Sequence, residues 1–118
     1  MFYVNESVTI ITVKVNRTIE NPRGIGEVYE GEKMISSVHY GLTVEQEINI
    51  VETLGGKKEL DGLKSAHGVI QTDRGVAGFV GKDRLTLYLQ DGRKIDFIVA
   101  RINFAKSLID ITATGGFY

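Results

Sequence analysis

A chain of 118 residues, 42% hydrophobic and 25% charged, has the size and balance of one globular domain, and a single domain over 1–118 is the expected organisation. With 14 Lys and Arg against 15 Asp and Glu, the formal net charge is -1, without the basic excess of a dedicated nucleic-acid binder. The absence of cysteine excludes disulfides, zinc–thiolate sites and thiol catalysis, and no run approaches the roughly 18 apolar residues of a membrane-spanning helix.

The opening MFYVNESVTI has neither the basic start nor the apolar stretch of a secretion signal, so a bacterial-type cytoplasmic protein is expected. On that reading the glycosylation sequons at Asn5 and Asn16 are coincidental. One proline against 14 glycines, with regular alternation, indicates a sheet with tight turns and bends.

Val8–Val15 is rich in β-branched residues and predicts a first strand. Asn21-Pro22-Arg23-Gly24 predicts a turn, and Ile25–Glu30 a short strand turned back at Gly31. From Met34 to Val51 the apolar side chains fall on even positions (Val38, Tyr40, Leu42, Val44, Ile48, Ile50). The phase persists across Gly41, which favours one long strand bent there over two strands. Leu54–Ser65, with its Gly-Gly and Asp-Gly pairs, reads as the main loop, and Ala66–Thr72 as a strand. Asp73–Asp83 is apolar but punctuated by glycine, compatible with a short strand, a helical turn or a buried loop.

Arg84–Ala100 carries the clearest signal. Leu85, Leu87 and Leu89 alternate before Asp91-Gly92, and Ile95, Phe97 and Val99 after it, predicting a hairpin with a type I′ turn. Arg101–Ser107 reads as a connection and Leu108–Thr114 as the last strand. Phe117 and Tyr118 are placed to close one end of a barrel or to meet a partner. The sum is an all-β chain of about seven or eight strands, expected as a small antiparallel β-barrel, with a two-sheet β-sandwich as the alternative.

No motif for catalysis stands out. His39 and His67, the only histidines, have no second histidine at a ligand spacing, so no metal site and no cofactor are expected. Glu45 and Glu47 share the polar face of their strand. Gly24-Ile25-Gly26 lacks a third glycine in place and a helix to follow, and Leu54-Gly55-Gly56-Lys57-Lys58 lacks Walker spacing. Tyr88 beside Arg84, Arg93 and Lys94 is the nearest approach to a nucleic-acid-binding face. The expected barrel resembles the cyclic-dinucleotide-binding PilZ barrels in architecture only. Arg17 and Arg23 are too far apart for RxxxR. Ser65-Ala66-His67-Gly68 keeps SxxG, but Leu63 stands where Asp or Asn belongs, so no residue role transfers.

The expectation is therefore a non-catalytic binding or interaction module, whose partner is a small molecule or another protein. Its ligand-binding residues would be Lys57, Lys58, Asp61 and His67, at a barrel mouth bordered by Leu54–Ser65 and Gly75–Gly81. An exposed strand edge could also pair two subunits as a homodimer. An alternative is an anion- or nucleotide-binding barrel using Arg17, Arg23, Lys57 and Lys58. A third is an enzyme with His67 as base and Asp61 as its orienter. Whether the interior is hollow or filled separates a ligand carrier from an interaction module.

Overall fold

The computed structural model describes residues 9–118; Asn5, Val8 and the rest of the opening segment lie outside them. Seven strands follow one another: β1 (Thr9–Glu20), β2 (Arg23–Glu30), β3 (Lys33–Thr53), β4 (Gly56–Thr72), β5 (Leu85–Tyr88), β6 (Lys94–Asn103) and β7 (Leu108–Ala113). A single 3-10 turn, Ala77–Phe79, interrupts the long β4–β5 connection.

All pairings are antiparallel. Six strands form a hydrogen-bonded ring in the order β3-β2-β5-β6-β7-β4, closed by β4 returning to β3. This ring-like hydrogen bonding is consistent with a small antiparallel β-barrel or sandwich.

β3 runs unbroken for 21 residues, so the single-strand reading of Met34–Val51 holds. Its neighbour changes midway. Lys33–Gly41 pairs with β2, whereas Val44–Thr53 pairs with β1. On its other side β4 accompanies it from Val38 to Thr53. The far halves of β3 and β4 therefore leave the ring and, with β1, make a three-stranded arm. The molecule measures 67 × 26 × 24 Å, with a radius of gyration of 19.3 Å. A compact chain of this length would have a radius near ~13 Å.

The ring interior is filled. Val28, Val38, Leu42, Ile70, Leu85, Leu87, Ile95, Phe97 and Ile109 are all essentially inaccessible and form one cluster. Val76 and Phe79, on the connection around the 3-10 turn, plug the end away from the arm, where Gly78 lies against Ile35. Phe117 packs against the cluster. Buried polar groups are matched: the Ser36 and Thr72 hydroxyls lie 2.7 Å apart, and the Tyr40 hydroxyl accepts the Gln90 N–H at 3.0 Å. Among the described residues no buried side-chain polar atom lacks a partner.

Three sequence expectations are corrected here. Leu54–Ser65 is not a loop. Thr53 pairs with Gly56, leaving Leu54-Gly55 as a tight turn, and β4 runs from Gly56 onward. The barrel mouth expected between Leu54–Ser65 and Gly75–Gly81 therefore does not exist, because one segment forms the arm and the other lies at the opposite end. The hairpin at Asp91-Gly92 is present, but its turn differs. The Gly92 N–H donates to Leu89 O at 3.1 Å and the Leu89 N–H to Arg93 O at 2.8 Å. Only Gly92 has a positive φ, 93°, so a type I turn with a glycine bulge replaces type I′, which needs two such residues. The Asp91 carboxylate favours this form by accepting the Arg93 N–H at 3.0 Å. Finally, β6 continues through Arg101 to Asn103, so the connection to β7 is shorter than expected.

Candidate interaction surface

The ring interior is occupied by the core cluster. Concave surfaces lie on the outside of the molecule and at the arm-side end of the ring. A mostly apolar one, of about 290 Å³, lies at the root of the arm between Val44, Ala66, Ile95 and Phe117.

The arm itself is unusual in its exposure. Cross-strand register puts Val13 opposite Ile50 and Val15 opposite Ile48, all on the face continuous with the ring interior. Ile48 is buried, but Val13 and Val15 remain 48% and 39% exposed. On β4, Leu60 is 53% and Leu63 79% exposed. Gln46 supports the irregularity in β4 from within, its side-chain amide donating to Gly62 O at 2.9 Å.

Both edges of the arm are open among the described residues. β1 ends the strand order, with β3 as its only neighbour. β4 meets β7 only over His67–Gln71, so Gly56–Ala66 has an unpaired outer edge. Each edge offers a row of backbone N–H and C=O groups to another strand.

Arg93 fastens the root of the arm. Its guanidinium donates twice to Glu20 at the end of β1, at 2.7 and 2.9 Å, and to Asp91 in the hairpin turn at 2.9 Å. It also lies 4.4 Å above the Phe117 ring. The hydrogen bond from Arg93 holds the Asp91 carboxyl below the ordinary carboxylate range.

A second cluster covers the outside of β2, β5 and β6. Tyr29 and Tyr88 rings lie 4.5 Å apart, with the Lys94 ammonium 4.9 Å from Tyr88. Tyr118 donates to Asp96 at 2.6 Å and Thr86 donates to it at 2.8 Å. These two donors, Tyr118 first, lower the Asp96 pKa. Stability from a lowered carboxyl pKa is complete above the unfolded value of about 4 and is lost as pH falls through the folded value. The Asp96→Asn variant is therefore expected to lose less stability than the parent on acidification below about pH 4, read as the urea midpoint across pH.

The residues singled out from sequence do not converge. Lys57 lies opposite Glu52 and Lys58 opposite Val51, so the two lysines project from opposite faces near the arm tip. Asp61 and His67 are six residues apart on one strand, a separation of about 20 Å. His67 instead contacts Glu45, Nε2 to Oε1, at 2.9 Å on an open surface. His67 lies opposite Thr43, about 13 Å along β3 from His39 at the strand rise, so the two histidines cannot hold one ion together. Arg17 sits on the arm opposite Gln46, and Arg23 begins β2 opposite Gly41. Among the described residues no group of three His, Asp or Glu could hold a metal ion, and no helix is long and apolar enough to cross a membrane.

Comparison of the chain with family models, curated proteins and solved structures returned no match.

Proposed function

We propose that this protein is a non-catalytic interaction module that works by adding a partner's strand to the open edge of its arm. The observation that carries this reading is the twelve-residue edge of β1, unpaired among the described residues. Proteins ordinarily blunt such an edge with proline, short length, dense charge or cover. β1 is long, lacks proline, and holds only Lys14, Arg17 and Glu20 as charged residues. Strand addition supplies affinity through main-chain hydrogen bonds, and exposed side chains such as Val13 and Val15 supply selectivity. The packed core supports the same reading, since side chains occupy the ring interior that a carried ligand would need.

The test is photo-cross-linking in cells, with the reactive side chain at Val13 or Leu60 on the arm and at Ile98 or Val69 on the ring. All four positions are exposed. The proposal expects adducts from the arm positions, mapping to one contiguous segment of the partner. Adducts from the ring positions alone would overturn it.

A further inference from the structure

The arm-side end of the ring holds a cavity that the strand edges do not use. We propose that it is a binding site for a small apolar carboxylate. The ligand's hydrocarbon body lies against Val44, Ala66, Ile95 and Phe117, and its carboxylate meets Lys64.

The cavity is built by a break in strand pairing. β6 and β7 pair through Phe97 and Ala113, and the Thr114 N–H continues the ladder to Asp96 O at 2.9 Å. An unbroken ladder would next set Lys94 opposite Gly116. Instead Lys94 exchanges both backbone hydrogen bonds with Tyr118, at 2.8 and 2.9 Å. Gly115 and Gly116 therefore bulge from the tail, and Phe117 returns to pack on the core. Bulges re-aim side chains beside working sites. Neither glycine has a positive φ, and an added Cβ at either would meet nothing within 4 Å. Backbone strain and packing do not demand glycine here; its effect is to keep side-chain bulk out of the space beside Phe117. The walls are in place before a ligand arrives. Val44, Ala66 and Ile95 are buried on three different strands. The Arg93 guanidinium lies 4.4 Å over the Phe117 ring and is itself tied to Glu20 and Asp91. A preformed, mostly apolar hollow with few polar groups is the usual form of a small-molecule site. Its volume of about 290 Å³ admits about ten non-hydrogen atoms, at roughly 30 Å³ for each water displaced.

The polar lining is of one kind. Lys64 is the only charged residue around the cavity, and no carboxylate lines it. Lys64 lies two residues from Ala66, on the same face of β4. Among the described residues it enters no ion pair. On that face the nearest carboxylates by register are Glu20 and Asp61. Glu20 is opposite Val44 and held by Arg93 at 2.7 Å, and Asp61 is opposite Ile48, further toward the arm tip. The Gly115 and Gly116 N–H groups donate to no backbone acceptor among the described residues. A cation and free N–H donors beside an apolar hollow match an apolar body carrying one anionic group. An amine would meet Lys64 as a like charge.

Heteronuclear NMR on the labelled full chain tests this with sodium phenylacetate, and with phenylacetamide as its uncharged counterpart. Phenylacetate is expected to give saturable shifts centred on Ala66, Ile95 and Gly115–Phe117. The amide is expected to bind about fivefold more weakly, the scale of one exposed charge pair. Lys64→Gln is expected to remove that difference. Ala66→Leu, which adds bulk to the cavity wall, is expected to remove saturable binding of both compounds. Circular dichroism verifies the fold of each variant, and Lys64 is exposed, so its variant decides the charge question even where Ala66→Leu does not fold. Shifts that grow without saturating, or that centre elsewhere, would overturn the site. Equal affinity for acid and amide, or a preference for the acid that survives Lys64→Gln, would overturn the carboxylate as its ligand. Strand addition at β1 is judged separately, by the cross-links from Val13.

Discussion

Replacing Gly68 by valine is expected to cost about 3 kcal/mol or more and to broaden or abolish cooperative unfolding, as read by circular dichroism in urea. A Cβ at this position would overlap Gly41 O and lie 2.9 Å from Leu42 Cα. Both contacts are with backbone, so no side chain can rotate away. Gly68 is also paired on both sides, with Leu42 on β3 and Ile111 on β7. Any shift of β4 away from β3 therefore disturbs the seam that closes the ring. The Gly115→Ala variant is the control. Nothing lies within 4 Å of the added Cβ, and its φ is not positive, so a change within about 0.5 kcal/mol is expected.

The Phe97→Ala variant should lose about 3–5 kcal/mol, most of the stability of an ordinary small domain. Phe97 is fully buried and sits between Leu85 and Ala113 on neighbouring strands. The cavity would open in the middle of the ring, where the closed hydrogen bonding limits collapse around it. A fall in the thermal midpoint of about 15 °C or more follows for a chain of this size. Leu63→Ala, on the arm, removes a side chain that is 79% exposed and should change the midpoint little. The contrast distinguishes a filled ring from an exposed arm within one protein.

The same contrast explains what the sequence revealed. Strands with one face in the core declare themselves by period-two alternation. Leu85, Leu87 and Leu89 do so, as do Val38, Tyr40, Leu42 and Val44, and all are buried. The all-β class, the long β3 and the location of the hairpin were legible for that reason. Gly56–Ser65 was not. Both faces of this strand meet solvent, so Lys57, Lys58, Glu59, Leu60 and Asp61 show no apolar alternation. Its extended form is imposed by pairing with β3, a long-range partner that a local reading of glycine and charge does not contain. β1 extends to Glu20, beyond the β-branched run, by the same cause. The type of turn at Asp91-Gly92 depended on a side-chain hydrogen bond to Arg93, which spacing alone does not encode.

The candidate site followed the same division. Lys57, Lys58, Asp61 and His67 were grouped because a loop could fold them together. On one extended strand they are spread along its length and divided between its faces. What the sequence did carry was the β-branched, proline-free run of β1, although nothing local marked it as an edge. That property belongs to topology, since β1 joins the sheet outside the ring.

The most direct test is backbone amide exchange of the purified chain in dilute solution. The edges open among the described residues leave alternate amides of β1 and of Gly56–Ala66 free to exchange rapidly, whereas those of β5 and β6 are held in the ring. Alternate arm amides are expected to exchange much faster than those of β5 and β6. Arm amides as slow throughout as those of β5 and β6 would contradict the account.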